Sequence, residues 1–343
     1  MRRFVVLGAF LLTGMGALAV PSPEAAILRY VANNGVDSTT CGTLAAPCRS
    51  ITKAIARAVK GDHIVVGPGR YGDVDGDGQF TSPGDEVAPA GCDCTLAITK
   101  AVTVEATLGA GATVIMHARS TGSAVSVSAV GAVLGTLNKG FTIRSNADGV
   151  SVDASSVTVQ DNRIFASGTG VRVEFAASGA VLVGNIISGT SVAVYLGGGG
   201  AALTDNVIEG NGVGIDVATG PSAVIRTNHI INNTVLGIRV QSDGTSISNN
   251  VVNGNGVVGI LVASGAGTVV TSNNFIDNGD DPGHSNCGLW NQSLATVNAE
   301  RNFWGGAQGP GTDPADAICV TGGAVDTTPF LTKAVLITTQ TGR

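Results

Sequence analysis

Asn206-Val-Ile-Glu-Gly-Asn-Gly-Val-Gly-Ile-Asp-Val217 is followed by Asn228-His-Ile-Ile-Asn-Asn-Thr-Val-Leu-Gly-Ile-Arg-Val240 and Asn250-Val-Val-Asn-Gly-Asn-Gly-Val-Val-Gly-Ile-Leu-Val262, three copies of one pattern. Outward from these, asparagine with a large apolar residue two positions on recurs as Asn162-Arg-Ile164, Asn185-Ile-Ile187, Asn274-Phe-Ile276 and Asn302-Phe-Trp304. The full series steps by 23, 21, 22, 22, 24 and 28 residues. A second register lies between these marks, a glycine before alternating apolars. It reads Gly149-Val-Ser-Val152, Gly170-Val-Arg-Val173, Gly214-Ile-Asp-Val217, Gly237-Ile-Arg-Val240 and Gly259-Ile-Leu-Val262, with Val192-Ala-Val194 as a degenerate copy. Two registers with one period define a repeat architecture.

Alternation with period two, rich in Val and Ile and broken by Gly, Asn, Asp and Ser, predicts short strands; no helical periodicity competes inside the repeat. A unit of about 22 residues cannot bury its apolar face alone, so successive units must stack. The Leu-x-x-Leu-x-Leu pattern of leucine-rich repeats is absent. The remaining solution is an all-β parallel β-helix solenoid in which each rung climbs by about 4.8 Å. Asparagine suits a rung corner, because it tolerates a left-handed bend and its amide can hydrogen-bond to its equivalents on neighbouring rungs.

Residues 1–19 read as an export signal: Arg2 and Arg3, an apolar run from Phe4 to Leu12, and the small-x-small site Ala17-Leu-Ala19. A secreted, extracellular or periplasmic chain of one domain over residues 20–343 is expected, with no later segment approaching the roughly 20 apolar residues of a membrane span. The net charge is −6, and charged residues make up 13% of the chain. No basic stripe is available for nucleic acid, and a monomer is expected.

Six cysteines in the exported part imply disulfides. Cys41 and Cys48 frame a short loop, Cys287 and Cys319 can tie the last rungs to the tail, and a Cys92–Cys94 bridge would be strained. Fifteen pairings are open for six cysteines. Ile51, Ala54, Ile55, Ala58 and Val59 repeat at helical spacing between a capping Ser50 and Gly61, which predicts a helix over 50–60. Placed just before a first strand at His63 to Val66, it would cover the open end of the solenoid.

Tyr30-Val-Ala, Cys41-Gly-Thr-Leu-Ala-Ala-Pro-Cys48-Arg-Ser-Ile51, Ala54-Ile-Ala-Arg-Ala58 and Gly61-Asp-His-Ile-Val-Val-Gly-Pro-Gly-Arg-Tyr71 together resemble the N-terminal signature of secreted right-handed parallel β-helix repeat proteins of the pectin-lyase-like superfamily. Asn302-Phe-Trp-Gly-Gly-Ala-Gln-Gly-Pro310 with Pro329-Phe-Leu331 resembles their closing segment, so residues 305–343 are expected to cap the clearest repeats, 140–304. The resemblance implies a right-handed coil. For activity it implies only a range, from lyases, glycosidases and epimerases to adhesins.

An inserted loop is expected over 73–95. It contains Asp73-Val-Asp75-Gly-Asp77-Gly78-Gln79-Phe80-Thr-Ser-Pro-Gly-Asp85-Glu86. Carboxylates at alternate positions before a glycine can wrap hard oxygen ligands around Ca²⁺. Asp73, Asp75, Asp77, Gln79, Asp85 and Glu86 are the candidate ligands of a structural Ca²⁺, and a solvated acidic turn is the alternative.

The resemblance implies that a lyase would neutralise a uronate carboxylate with calcium or a basic residue and use an Arg or Lys base to take the proton beside it, whereas a glycosidase would use clustered carboxylates. Aligning the glycine register predicts one outward column of Ser151, Arg172, Ala193, Asp216, Arg239, Leu261 and Trp290. Asp216, Arg239 and Arg172 are the candidate catalytic residues, with a surface ion pair as the plainer reading. Trp290 is a candidate for stacking on a sugar, the alternative being packing beside Trp304. The expectation is a protein that interacts with extracellular polysaccharide, as a lyase or hydrolase of an acidic glycan. The rival is a non-catalytic surface, adhesion or structural protein.

Overall fold

The computed structural model describes residues 26–77, 86, 91–279 and 286–338. The segment expected to be an export signal, Gln79 and Asp85 lie outside the described residues. The chain winds through three parallel sheets of twelve, ten and nine strands, each rung adding one strand to each sheet. Neighbours within a sheet are therefore one repeat apart in sequence: Val192–Leu196 pairs with Val213–Val217, and that strand pairs with Leu236–Val240.

Alternation along these strands sorts the side chains. Ile164, Ile187, Ile208, Ile230, Val252 and Phe275 form one fully buried stack, and Leu182, Leu203, Ile225, Ile247 and Val270 form another. With the inner face of the ten-stranded sheet they make one continuous core. Each such aliphatic side chain contributes about 1.5–3 kcal/mol of burial. The glycine register also has a steric cause: a Cβ at Gly214 would stand 2.4 Å from the carbonyl oxygen of Gly237.

The asparagines line the corner between the twelve- and nine-stranded sheets. Asn206 is typical: its Nδ2 donates to Leu182 O (2.9 Å), Thr204 O (3.1 Å) and Asn228 Oδ1 (2.9 Å). Its Oδ1 accepts from the backbone N–H and Nδ2 of Asn185 at 2.9 and 3.0 Å. The ladder runs Asn162, Asn185, Asn206, Asn228, Asn250, Asn273, Asn302. Two expectations are corrected. The sixth member is Asn273, which is fully buried, whereas Asn274 pairs through Nδ2 and Oδ1 with the backbone of Val335 at 2.7 and 2.8 Å. The left-handed bend falls on the residue before each ladder asparagine, as at Asp161, Gly184, Asp205, Thr227, Asn249, Ser272 and Arg301. That division leaves the asparagine backbone free to point its amide inward.

A second ladder, at the corner between the nine- and ten-stranded sheets, was not anticipated. It runs from Thr190 through Asn211, Asn233, Asn255 and Asn278. It ends on buried Asp316, whose carboxylate accepts from the backbone N–H and Nδ2 of Asn278.

The N-terminal end is closed by helix α1, Ile51–Arg57, shorter than the expected 50–60. Its last turn stops at Ala58, which is extended, and Lys100 Nζ donates to the carbonyls of Ala56 and Ala58, both at 2.7 Å. The first strand is not His63–Val66 but Leu28–Val31, which adds to the outer edge of His63–Val66. Arg29 and the backbone N–H groups of Ile27 and Val59 hold this edge in place through the buried carboxylate of Asp62. At the far end Trp304 is fully buried and stacks on Phe275, with ring centroids 4.4 Å apart.

Candidate functional site

The outer face of the ten-stranded sheet carries the column. Strand register makes it Ser126, Ser151, Arg172, Tyr195, Asp216, Arg239, Leu261 and Trp290. Six of the seven expected members are in place and Ala193 is not. Ala193 is fully buried in the position that glycine takes on other rungs, and Tyr195, two residues on, is the outward residue. The signal was legible in Val192-Ala-Val-Tyr-Leu196 once Ala193 is set against Gly214.

Arg172, Tyr195, Asp216 and Arg239 thus occupy four successive rungs, about one strand spacing apart. Arg239 grips Asp216 with two donors, Nε to Oδ1 at 2.8 Å and Nη2 to Oδ2, and Gln241 Nε2 donates to Oδ1 at 3.1 Å. Asp216 is only 2% exposed. With both oxygens engaged it is an anchor for Arg239 rather than a general acid. Its hydrogen bond holds the Arg239 guanidinium above its usual range despite partial burial. Arg172 donates from Nε to Asp148 (2.8 Å) and from Nη2 to Thr169 (2.6 Å), and lies 5.3 Å from the centre of the Tyr195 ring. Burial opposes its charge, but the bond to Asp148 and the nearby Glu174 outweigh this and raise it. The Tyr195 phenol is within electrostatic reach of both arginines. Arg172 against the Tyr195 ring and Arg239 two rungs further along the same column present guanidiniums that can receive a carboxylate near the phenol.

Trp290 stands at the C-terminal end of the same face, its Nε1 donating to Thr321 Oγ1 at 3.2 Å. It packs with Leu236, Val258, Leu261 and the Cys287–Cys319 pair in a small apolar cluster outside the core. Trp304 lies inside the coil, stacked on Phe275. The disulfides are Cys41–Cys48, Cys92–Cys94 and Cys287–Cys319. The Cys92–Cys94 pair joins residues two apart, the pairing that the spacing disfavoured.

In the acidic loop the carboxylates of Asp73, Asp75 and Asp77 converge, with one oxygen from each lying within 4.8 Å of the others. Asp73 is fully buried and the other two are exposed. Three hard oxygens in that space fit a divalent cation of the Ca²⁺ type. Glu86 is not among them, a correction with a clear cause. Its Oε1 and Oε2 accept the N–H groups of Ile51 (2.9 Å) and Thr52 (3.0 Å), two of the donors that a helix start leaves without partners. Burial pushes this carboxyl up to about 7. The loop therefore leaves the sheet at the carboxylate cluster and returns to cap α1.

Among the described residues no helix is long and apolar enough to cross a membrane. No curated protein matches the sequence. In fold the chain is similar to an alginate lyase from a Paenibacillus species, with TM-score 0.54 and 15% identity over 82% of this chain and 96% of the other. It is also similar to the A-module of the Azotobacter vinelandii mannuronan C-5 epimerase AlgE4, with TM-score 0.51 and 14% identity over 82% and 91%. At such identity the likeness is one of fold. Residues 123–302 match the family described as right handed beta helix region. By its repeats, its three parallel sheets and that match over more than half its length, the chain belongs to the right-handed parallel β-helix family.

Proposed function

We propose that the protein binds an acidic polysaccharide along the outer face of the ten-stranded sheet and cleaves it by β-elimination. The observation that carries this reading is the run of Arg172, Tyr195, Asp216 and Arg239 on consecutive rungs. Nη1 of each arginine, which lies outside the bonds to Asp148, Thr169 and Asp216, takes the carboxylate of a uronate residue and stabilises the negative charge that grows on it. Tyr195, acting as the phenolate, takes the proton from the carbon beside that carboxylate. The freed electron pair forms a carbon–carbon double bond as the glycosidic bond at the next carbon breaks, and the leaving oxygen takes that proton from the Tyr195 hydroxyl, which regenerates the phenolate. Hydrolysis fits less well, because it needs two available carboxyl groups and Asp216 is held by Arg239 and Gln241. Three disulfides support an extracellular or periplasmic setting.

A Ca²⁺ ion held by Asp73, Asp75 and Asp77 completes the proposal. When bound it would neutralise the mutual repulsion of the three carboxylates. Titration of Ca²⁺ into the protein should release or absorb heat and raise the melting temperature, and Asp75→Asn with Asp77→Asn should abolish both. Identical melting in Ca²⁺ and in chelator would remove the ion from the proposal.

Alginate and mannuronan, the polymers in the names of the similar folds, head the substrate panel, with pectate and a neutral mannan beside them. The expected result is new ultraviolet absorbance from unsaturated ends on a uronate polymer and none on mannan. Tyr195→Phe should lower turnover by about 10²-fold or more, and Arg239→Gln should weaken binding as well. Full activity in Tyr195→Phe, or new reducing ends without absorbance, would overturn the mechanism. The saturated Arg239–Asp216 pair also suits a purely adhesive face, and binding without turnover across the panel would favour that second reading.

A further inference from the structure

We infer that a groove on the nine-stranded sheet, around Arg144 and Phe165, is a second and non-catalytic site that holds the carboxylate of an acidic sugar. Strand register lines up Met116, Arg144, Phe165 and Ser188 on the outer face of four successive rungs. Their inward neighbours Ile115, Ile143, Ile164 and Ile187 are all fully buried, so the outward direction of the four is set by the pleat. The groove encloses about 370 Å³ and continues onto Asn146 and Ser167 at the following corner.

The Arg144 guanidinium lies 4.8 Å from the centre of the Phe165 ring. Among the described residues no carboxylate is within 4.0 Å of it, in contrast to Arg172 and Arg239, which are both ion-paired. Stacking restrains the plane of the guanidinium and leaves its fork of donors to the groove, the geometry that accepts a planar carboxylate through two bonds. Met116 and Phe165 offer apolar surface to the carbon face of a sugar ring, while Ser167 and Ser188 line the same space with hydroxyls. Apolar surface with a few convergent polar groups is the usual make-up of a small-molecule site. The floor is rigid, because buried His117 is held on both ring nitrogens, by Thr95 Oγ1 at 2.9 Å and by the Thr121 carbonyl at 2.8 Å. In a chain of net charge −6, an arginine that both rests on an aromatic ring and has no ion-pair partner among the described residues is suited to receive an anion. The inference shares its ligand class with the proposed function and is independent of any reaction at Tyr195.

Hydrogen exchange read by mass spectrometry separates the two sites. The full-length protein carrying Tyr195→Phe is exchanged with and without millimolar trimannuronate or trigalacturonate, and with neutral mannotriose and a sulfated neutral disaccharide as comparators. Uronate trimers should slow exchange in the segments around 144–146 and 165–167, and mannotriose should not. Arg144→Gln should lower affinity at this groove at least tenfold and leave protection around 195 and 239 intact, and Arg239→Gln should do the reverse. Arg144→Lys, which keeps the charge and loses the planar fork, should fall between. Protection confined to the ten-stranded sheet, absence of protection by uronates in the groove, or equal protection in Arg144→Gln would overturn the inference. Stronger protection by the sulfated sugar than by the uronates would also overturn it, since it would assign the groove to a sulfate.

Discussion

Asn228→Ala probes the ladder at its centre. In the native coil Nδ2 donates to Leu203 O (3.0 Å), Arg226 O (2.9 Å) and Asn250 Oδ1 (3.0 Å), and Oδ1 accepts from Asn206 N and Nδ2, both at 2.9 Å. Alanine removes all five bonds, in a place that water does not reach. Much of this loss is softened, because the neighbouring amides keep their other partners: Asn206 Nδ2 still reaches Leu182 and Thr204, and Asn250 Oδ1 still accepts Asn228 N. The Asn206 N–H loses its acceptor outright. One buried orphan donor at about 1–3 kcal/mol, a weakened carbonyl or two and a small void together give roughly 3–5 kcal/mol. Native-state hydrogen exchange should register the change locally, as faster exchange at the amides of rungs 206–208 and 228–230, and urea unfolding should register the global part. Asn298→Ala, which loses only an exposed bond to Glu300 N, should cost about 0.5 kcal/mol or less. A loss below about 1 kcal/mol at Asn228, or a loss no larger than that of Asn298→Ala, would refute the view that these amides hold the rungs in register.

Glu86 predicts a pH effect. Its proton is held more tightly in the folded chain, where the carboxyl titrates near 7 instead of 4.5. Its contribution to stability is complete below about 4.5 and is lost as pH rises through about 7, a span on the order of 3 kcal/mol. Urea midpoints at pH 5 and pH 8 should show the fall, and Glu86→Gln should flatten it; an equal slope in both proteins would count against the lid contact. Replacing Cys287 and Cys319 by serine opens a bridge across a sequence separation of 32. The chain-entropy account expects a loss of about 4 kcal/mol, with Trp290 fluorescence shifting to the red as the outer apolar cluster loosens. Unchanged emission and midpoint would mean that the strand Ala317–Val320 docks without the bridge.

The fold was legible because a stacked coil repeats the same burial problem on every rung. An inward Ile or Val and a corner asparagine therefore recur at fixed spacing, and the period of two survives in each copy. The ion pair of Asp216 with Arg239 followed from the same register. Tyr195 is hidden where the pattern degenerates, since alanine at 193 stands in for glycine and shifts the apparent copy by two residues. The second ladder was missed because Asn211, Asn233, Asn255 and Asn278 sit in glycine- and asparagine-rich turns, where such residues are ordinary.

By itself the sequence determined the solenoid, its period, the helical lid and the residue types along the outer face, because each depends on contacts between equivalent positions of neighbouring repeats. The tertiary structure decided what lies far apart in sequence and breaks the repeat. Glu86 belongs to the start of α1 and not to the carboxylate cluster, Val335 claims Asn274, and Arg144 rests on Phe165 with no acid beside it among the described residues. Such pairings depend on where inserted loops return and on which side chains share a corner, and a period of about 22 residues carries no information about either.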